Sequence, residues 1–595
     1  MSVAEGSRIS KAKRLTLQDR GINWNHILAM VGIFVVLGAV MGGYYLQNHP
    51  WLTTRDQMDI AQISLNISTG KGFTTRFVRP FNAGLLKDVP APLPEINHGP
   101  LYPYVVAAAF RYTQVSDQAV VRMSMIFGFL TLIATFILGR MLFDWRIGIL
   151  AAVGMGTSVF VLQSATSASE WPMAAFWFVL LMLAIAAHHK NSLSGGGRAG
   201  YFYVVASAIL ICLLYMTHQA LLFLFIPVAL YFAVTGSRRI QHLVLFMMVT
   251  AIAVAPWAYR NAELTGGSIL GANAWDIMAD TSEFPGNTFY RSIDAAGRGI
   301  AGVLLYPMEH FSSFSQKLMA GTSGAVGDML SILGMVILPL AVVSMLYKFK
   351  SPSANAVRGV LYVLAPIFLM CIALFSLGNN ALILIAPAAS VFGSAYLFLL
   401  LDAKKLHPIF LKGILIGVIL ITSWPAVSAI VWATNEQADK MLEASAIMSQ
   451  GDKLGVTCMY TDIPWLAAWR TENEVAVWLP RSDADISKLV QDGYSMNVIV
   501  LTSESRSYPT DETWYKLYTT KIQREYIANP DKVLSRIRAY AKDIGRSPEQ
   551  TEAANKFFQQ NQRNAEVFDS IKGYKQTDLG PFASDELQIY QPALQ

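Results

Sequence analysis

Apolar residues fall in long runs along this chain. Between Trp24 and Trp432 stretches of about 20 predominantly apolar residues recur, the length an α-helix needs to cross a hydrocarbon core, with polar or glycine-rich breaks between them. The pattern predicts about eleven spans, at 26–46, 119–140, 147–164, 172–188, 201–216, 218–235, 240–258, 327–347, 357–376, 380–400 and 410–433. The first follows a basic leader containing Lys11, Lys13, Arg14 and Arg20. It is too long for a signal-peptide core and no small-residue cleavage site follows, so it reads as a retained span.

Beyond position 433 the pattern changes. Short apolar runs at 455–460, 475–479 and 497–501 read as buried strands, alternating with helical patterns at 463–470 and 484–491. This predicts a soluble α/β domain, with exposed helices in the polar run 531–563 and a last strand at 586–590. The expected fold is a polytopic α-helical membrane protein with a C-terminal α/β domain. Its parts are a cytoplasmic segment 1–25, a membrane domain 26–433 with large outside loops 47–118 and 259–326, and the soluble domain 434–595.

Charge supplies the orientation. Counted from a cytoplasmic N-terminus, the inside loops carry Arg140 and Arg146, Lys190 and Arg198, Arg238 and Arg239, Lys348, Lys350 and Arg358, and Lys404 and Lys405. Basic residues concentrate in cytoplasmic loops of membrane proteins, so this count is self-consistent, and an odd number of spans leaves the C-terminus outside. The expected location is a bacterial cytoplasmic membrane, with the soluble domain periplasmic or extracellular. Composition agrees with lipid as the main solvent: 53% of residues are hydrophobic and 14% charged, against about 25% charged in a soluble domain. The net charge of +6 belongs to those loops, and no nucleic-acid partner is expected. Cys212, Cys371 and Cys458 are scattered, which argues against a disulfide framework or a CxxC metal site.

Candidate chemistry gathers on the outside. The first outside loop opens with Trp51-Leu52-Thr53-Thr54-Arg55-Asp56-Gln57-Met58-Asp59. Asp56 sits where a carboxylate could take a proton from an attacking hydroxyl, although the same residue suits the N-cap of the helix that follows. Later comes Asn97-His98-Gly99-Pro100-Leu101-Tyr102-Pro103-Tyr104, where proline stiffens the chain and glycine permits close backbone approach to a ligand. An interfacial turn would favour the same tyrosines. Asp56 and Asp59 stand one helical turn apart, a weak signal for magnesium or manganese.

In combination these segments resemble the GT-C membrane glycosyltransferases. The similarity is to bacterial relatives of protein O-mannosyltransferases and of the lipid A aminoarabinose transferase, which use polyprenyl-phosphate sugars. Gly70-Lys71-Gly72-Phe73 is similar to their "G.GF" turn, Ser167-Ala168-Ser169-Glu170 to their second acidic position, and Ala255-Pro256-Trp257-Ala258-Tyr259-Arg260-Asn261 to their "PW..RN" segment. Val475-Ala476-Val477-Trp478-Leu479-Pro480 resembles the start of their α/β tail. The chain departs from the pattern in three places. Asp56-Gln57 replaces an Asp-Glu pair, His98 stands where lysine is usual, and Asn379-Asn380 replaces an arginine-tyrosine pair.

The resemblance implies an inverting glycosyltransferase (hexosyl or pentosyl transfer) moving a sugar from a polyprenyl-phosphate donor to an extracytoplasmic hydroxyl of a protein, lipid or polysaccharide. A phosphate leaving group is already a stabilised anion, so one base and cations suffice, without the second carboxylate of a glycosidase. Asp56 is then the base and Arg260 the phosphate ligand, because a guanidinium stays charged and matches phosphate oxygens bidentately. Glu170, His98, Lys71, Tyr102 and His218 are the further substrate-binding candidates, with Arg76 and Arg79 either adding positive potential or meeting lipid phosphates. No cofactor is assigned, and a divalent cation, which some relatives require, stays open. The central expectation is that Asp56 and Arg260 share one lipid-accessible cavity. The competing class is a polyprenyl-lipid or solute transporter, which would place its ionisable residues near the bilayer midplane, often in paired repeats.

Overall fold

The computed structural model describes residues 24–48, 51–86, 92–193, 197–236, 238–404, 407–431, 458–471, 475–509, 512–515, 517–518, 574–576 and 588–592. The chain divides into two compact units. One comprises Met1–Leu52, Ile96–Ile277 and Leu305–Asn435, the other Thr53–Glu95, Met278–Leu304 and Glu436–Gln595.

The first unit is helical. Among the described residues, eight helices are long and apolar enough to cross a membrane: Ile27–Gln47, Asp117–Leu142, Trp171–Leu193, Ala199–Thr217, Arg239–Thr265, Pro352–Leu374, Ala386–Ala403 and Ile409–Val431. Their apolar residues surround the helix instead of forming one stripe, as lipid on one side and protein on the other require. Leu37, Leu132, Met155, Phe178, Leu214 and Phe392, drawn from six different helices, share one buried core.

Three expected spans differ from simple rods. The expected 147–164 is a pair, Trp145–Gly156 and Val159–Thr166, bent by 67°. The expected 327–347 is the second half of another pair, Phe311–Ile332 and Val336–Leu346, which meet at 114° across Gly334. The two breaks support each other, because the Ser158 hydroxyl donates to the Ile332 carbonyl that the second break releases. Counting each pair as one span gives up to ten among the described residues, where the hydrophobic pattern alone predicts eleven. The remaining one, 218–235, is a 3-10 turn Gln219–Leu224 feeding a short helix Phe225–Val234. At about 2.0 and 1.5 Å rise per residue the two reach about 27 Å, just short of a hydrocarbon core of about 30 Å.

The second unit is α/β. Its strands are β1 (Thr74–Thr75), β2 (Phe77–Val78), β3 (Leu93–Pro94), β4 (Cys458–Thr461), β5 (Val475–Trp478), β6 (Val498–Leu501), β7 (Tyr574–Gln576) and β8 (Gln588–Pro592). β1 pairs with β3 in a two-stranded ladder, and the rest form a six-stranded sheet in the order β2-β5-β4-β6-β8-β7. β2, β5, β4 and β6 run parallel, with β8 and β7 antiparallel at one edge. Every residue of β4, β5 and β6 is buried, as parallel strands covered on both faces must be. Helices Pro464–Arg470 and Asp483–Gln491 make the crossovers between them. The three expected strands of the tail, its two helices and the late strand at 588–592 all appear near their predicted positions. The run 531–563 lies outside the described residues.

What the alternating pattern did not suggest is the composition of this unit. Segments 53–95 and 278–304, which the pattern assigns to outside loops, belong to it. Phe77 and Val78 stand beside Ala476 and Val477 as an added parallel strand.

Candidate active site

Asp56 lies in the first turn of the helix Arg55–Ser68, where the helix dipole favours a negative charge. It is not the N-cap. Thr54 occupies that position, and the Gln57 amide oxygen accepts from the backbone N–H groups of Thr53 at 2.8 Å and Thr54 at 3.1 Å. Gln57, the departure from an Asp-Glu pair, thus performs the reciprocal half of a capping box, which either glutamate or glutamine can do. The Asp56 side chain is 64% exposed and pairs with Arg55, Nε to Oδ1 at 3.2 Å.

Asp59 faces inward. Its carboxylate pairs with Arg79 and accepts from Gln62 Nε2 at 2.8 Å. Gln62 also donates to the Thr75 hydroxyl at 2.7 Å and accepts from the Arg76 N–H at 2.9 Å. The Arg79 guanidinium lies 4.1 Å from the Phe77 ring centre. Arg76 and Arg79 are both buried, so they bind this unit together instead of presenting charge to a lipid headgroup. The same geometry bears on a divalent cation. With Asp59 matched by a guanidinium, Asp56 and Asp59 do not make a two-carboxylate site, and among the described residues no group of three or more His, Cys, Asp or Glu could hold a metal.

Lys71 is exposed in the turn after this helix. Gly70 and Gly72 both adopt left-handed backbone, with φ of 85° and 77°, which is why the motif needs glycine at each position. The Lys71 N–H returns to the Asn66 carbonyl at 2.8 Å, and Phe73 turns into the core.

The other five predicted residues belong to the first unit, and contacts draw them to one end of it. The loop bearing His98 is held by amides: Gln219 Nε2 donates to the His98 carbonyl at 3.3 Å and Asn273 Nδ2 to the Asn97 carbonyl at 3.0 Å. Asn273 also donates to Gln219 Oε1 at 3.3 Å, and the Ala272 N–H reaches the Ile96 carbonyl at 3.0 Å. Gly99 is required here, because a Cβ at this position would lie 2.4 Å from the carbonyl oxygens of Met216 and Thr217. Tyr102 is fully buried and donates to the Val120 carbonyl at 3.1 Å. Burial pushes its phenol well above the ordinary range, and the charge of Glu170 adds to that effect.

Glu170 is buried at the start of the helix Trp171–Leu193, where its carbonyl accepts from Ala174. The turn before it is strained, with Ala168 at φ 49°, a conformation that L residues other than glycine rarely adopt. Trp171 stacks on His218, ring centres 4.9 Å apart and planes at 25°. Arg260 sits 4.5 Å from the Trp257 ring centre and donates to Asn261 Oδ1 at 3.3 Å. Asn261 in turn donates to the Tyr215 hydroxyl at 3.4 Å and the Ile269 carbonyl at 3.3 Å, and Tyr215 donates to that same carbonyl at 2.5 Å. Asn261 belongs to the PW..RN segment read from the sequence, whereas Gln219, Asn273 and Trp171 were not singled out there. Amides in a loop without a motif give no periodic signal.

Residues 97–259 match the family model described as dolichyl-phosphate-mannose-protein mannosyltransferase. The match includes His98, Tyr102, Glu170 and His218 and ends just before Arg260. Among solved structures, the oligosaccharyltransferase of Archaeoglobus fulgidus in complex with zinc and sulfate superposes with a TM-score of 0.53 at 14% identity, over 79% of this chain and 68% of that one. The oligosaccharyltransferase AglB of the same organism, in complex with an inhibitory peptide and a dolichol-phosphate, gives 0.51 at 14% identity, over 81% and 70%. ArnT from Cupriavidus metallidurans bound to undecaprenyl phosphate gives 0.38 at 13% identity, over 82% and 94%. A comparison with curated protein sequences returns no match. The fold shared with the archaeal enzyme and the mannosyltransferase-family segment agree with the resemblance read from the sequence.

Proposed function

Taking the chain as a multi-pass membrane glycosyltransferase of the GT-C fold, we propose that it moves a sugar from a polyprenyl-phosphate donor to a hydroxyl acceptor with inversion, Asp56 acting as the base. The acceptor oxygen attacks the anomeric carbon as the bond from that carbon to the phosphate oxygen breaks. Polyprenyl phosphate departs as an anion, and the acceptor proton passes to Asp56 and then to water. Inversion follows because one displacement occurs on the face opposite the leaving group.

The observation that carries the reading is the position of Asp56. Gln57 caps the helix and Asp59 pairs with Arg79, so the structural tasks of this segment fall to its neighbours, while the Asp56 carboxylate stays largely exposed. A base must reach its proton, and the dipole of the helix first turn favours the negative charge that a base carries.

Arg260 holds the departing phosphate. Glu170, His98 and His218 bind the sugar and headgroup, the buried Tyr102 supports them through its hydrogen bond to the Val120 carbonyl, and Lys71 contributes positive potential. Acceptors in this reading are hydroxyls of a protein, lipid or polysaccharide; the family description favours a protein. The placement is a bacterial cytoplasmic membrane with the reaction on the outer face, supported by the basic residues of the loops counted as inside.

The test supplies membranes containing the full chain with radiolabelled polyprenyl-phosphate hexoses. Label should appear covalently in a hydroxyl-bearing acceptor, with the anomeric configuration inverted by NMR. Translocation of the donor without covalent transfer would overturn the proposal in favour of a carrier.

A further inference from the structure

Arg55 and Asp56 are adjacent on a helix, and neighbours at that spacing do not naturally face one another. Their contact exists because the other end of the guanidinium is held elsewhere. Arg55 Nη1 donates to Asn287 Oδ1 at 3.3 Å, and its central carbon lies 5.7 Å from the Tyr290 ring centre and 5.6 Å from that of Trp478. The two rings are nearly parallel, 6.4 Å apart at 10°.

Trp478 is a rigid anchor. It ends β5, is 1% exposed, donates through Nε1 to the Tyr508 hydroxyl at 3.1 Å, and packs against Phe77 and Trp465. All of these residues belong to the second unit. Two chain segments far apart in sequence, one carrying Asn287 and Tyr290 and the other Trp478, therefore fix one guanidinium, and that guanidinium turns its Nε–H to the Asp56 carboxylate.

Stability does not explain the arrangement. The pair is 33% and 64% exposed, and an exposed ion pair contributes about 0–1 kcal/mol. A fixed cation beside a carboxylate has two other effects: it favours the ionised form and it limits the side chain to fewer orientations. Both matter to a base.

We propose that Arg55 is a positioning residue for Asp56, itself set by Tyr290 and Trp478, so that the C-terminal sheet takes part in sugar transfer through the orientation of the base. The proposal rests on the assignment of Asp56 given above, and its test separates the two. Purified full chain in lipid nanodiscs is assayed with a radiolabelled polyprenyl-phosphate hexose and an acceptor extract, and kcat and donor KM are measured separately. Arg55→Met lowers kcat about tenfold with donor KM within twofold of wild type. Tyr290→Leu, which leaves both charged groups in place, lowers kcat several-fold, and the double variant is no slower than Arg55→Met alone, because both changes act through the same guanidinium.

Wild-type kcat in either single variant, or a rise in donor KM at constant kcat, would overturn the proposal; the latter would make Arg55 a donor ligand. Full additivity in the double variant would also overturn it. Asp56→Asn is the separating control. If it abolishes transfer while Arg55→Met does not slow it, only the positioning role fails; if it retains transfer, the assignment of the base fails.

Discussion

Asp59 and Arg79 form a buried ion pair, their side chains 0% and 6% exposed, one helical turn from an Asp56 side chain that is 64% exposed. Two carboxylates that look alike in the sequence thus have separate tasks. Asp59→Asn leaves the Arg79 guanidinium buried without its counter-charge, which costs about 3–5 kcal/mol. Asp56→Asn removes an exposed charge and changes stability by about 0.5 kcal/mol or less. Thermal unfolding of the purified protein distinguishes them: a large drop for Asp59→Asn and almost none for Asp56→Asn. Equal drops would mean that Asp56 is structural.

Gln219 joins two loops through His98 and Asn273. Replacing it with leucine deprives the His98 carbonyl of this donor and the Asn273 amide of this acceptor, each loss costing about 1–3 kcal/mol. The expected result is a lower unfolding temperature together with a several-fold higher donor KM, because the His98 loop loses its fixed position. Unchanged KM would separate His98 from donor binding.

The turn before Glu170 gives an opposite prediction. Ala168 holds a left-handed backbone at φ 49°, which costs an alanine about 1–2 kcal/mol, while glycine there loses about 0.4–1 kcal/mol through the unfolded state. Ala168→Gly should therefore raise thermal stability slightly and Ala168→Val should lower it clearly. Thermal unfolding of the two variants decides the sign.

Arg260→Lys tests the phosphate assignment. Lysine keeps the charge but not the planar fork, so donor KM should rise about tenfold with a smaller change in kcat. A kcat loss at constant KM would place Arg260 in another role.

Much of this architecture was legible in the residues, and what was not has physical causes. Continuous apolar runs marked the simple spans, and the short runs 475–479 and 497–501 marked strands because a doubly covered strand is apolar throughout. Bends were not marked: Ser158 and Gly334 interrupt apolar runs whose composition looks uninterrupted. The membership of 53–95 and 278–304 in the soluble unit was hidden for another reason. β2 is only Phe77 and Val78, too short to register as a strand, and its partners in β5 stand about 400 positions away. Motif residues such as Glu170 and Arg260 could be found by pattern, whereas Gln219, Asn273 and Tyr290 act through contacts that only folding creates.

The base assignment is tested most directly by comparing sugar transfer in wild type and Asp56→Asn, both purified, both folded by thermal unfolding, and both supplied with the same radiolabelled polyprenyl-phosphate hexose. Asparagine has the shape of aspartate but cannot take the proton, so the account predicts transfer reduced at least a hundredfold. Transfer within a few-fold of wild type would contradict it.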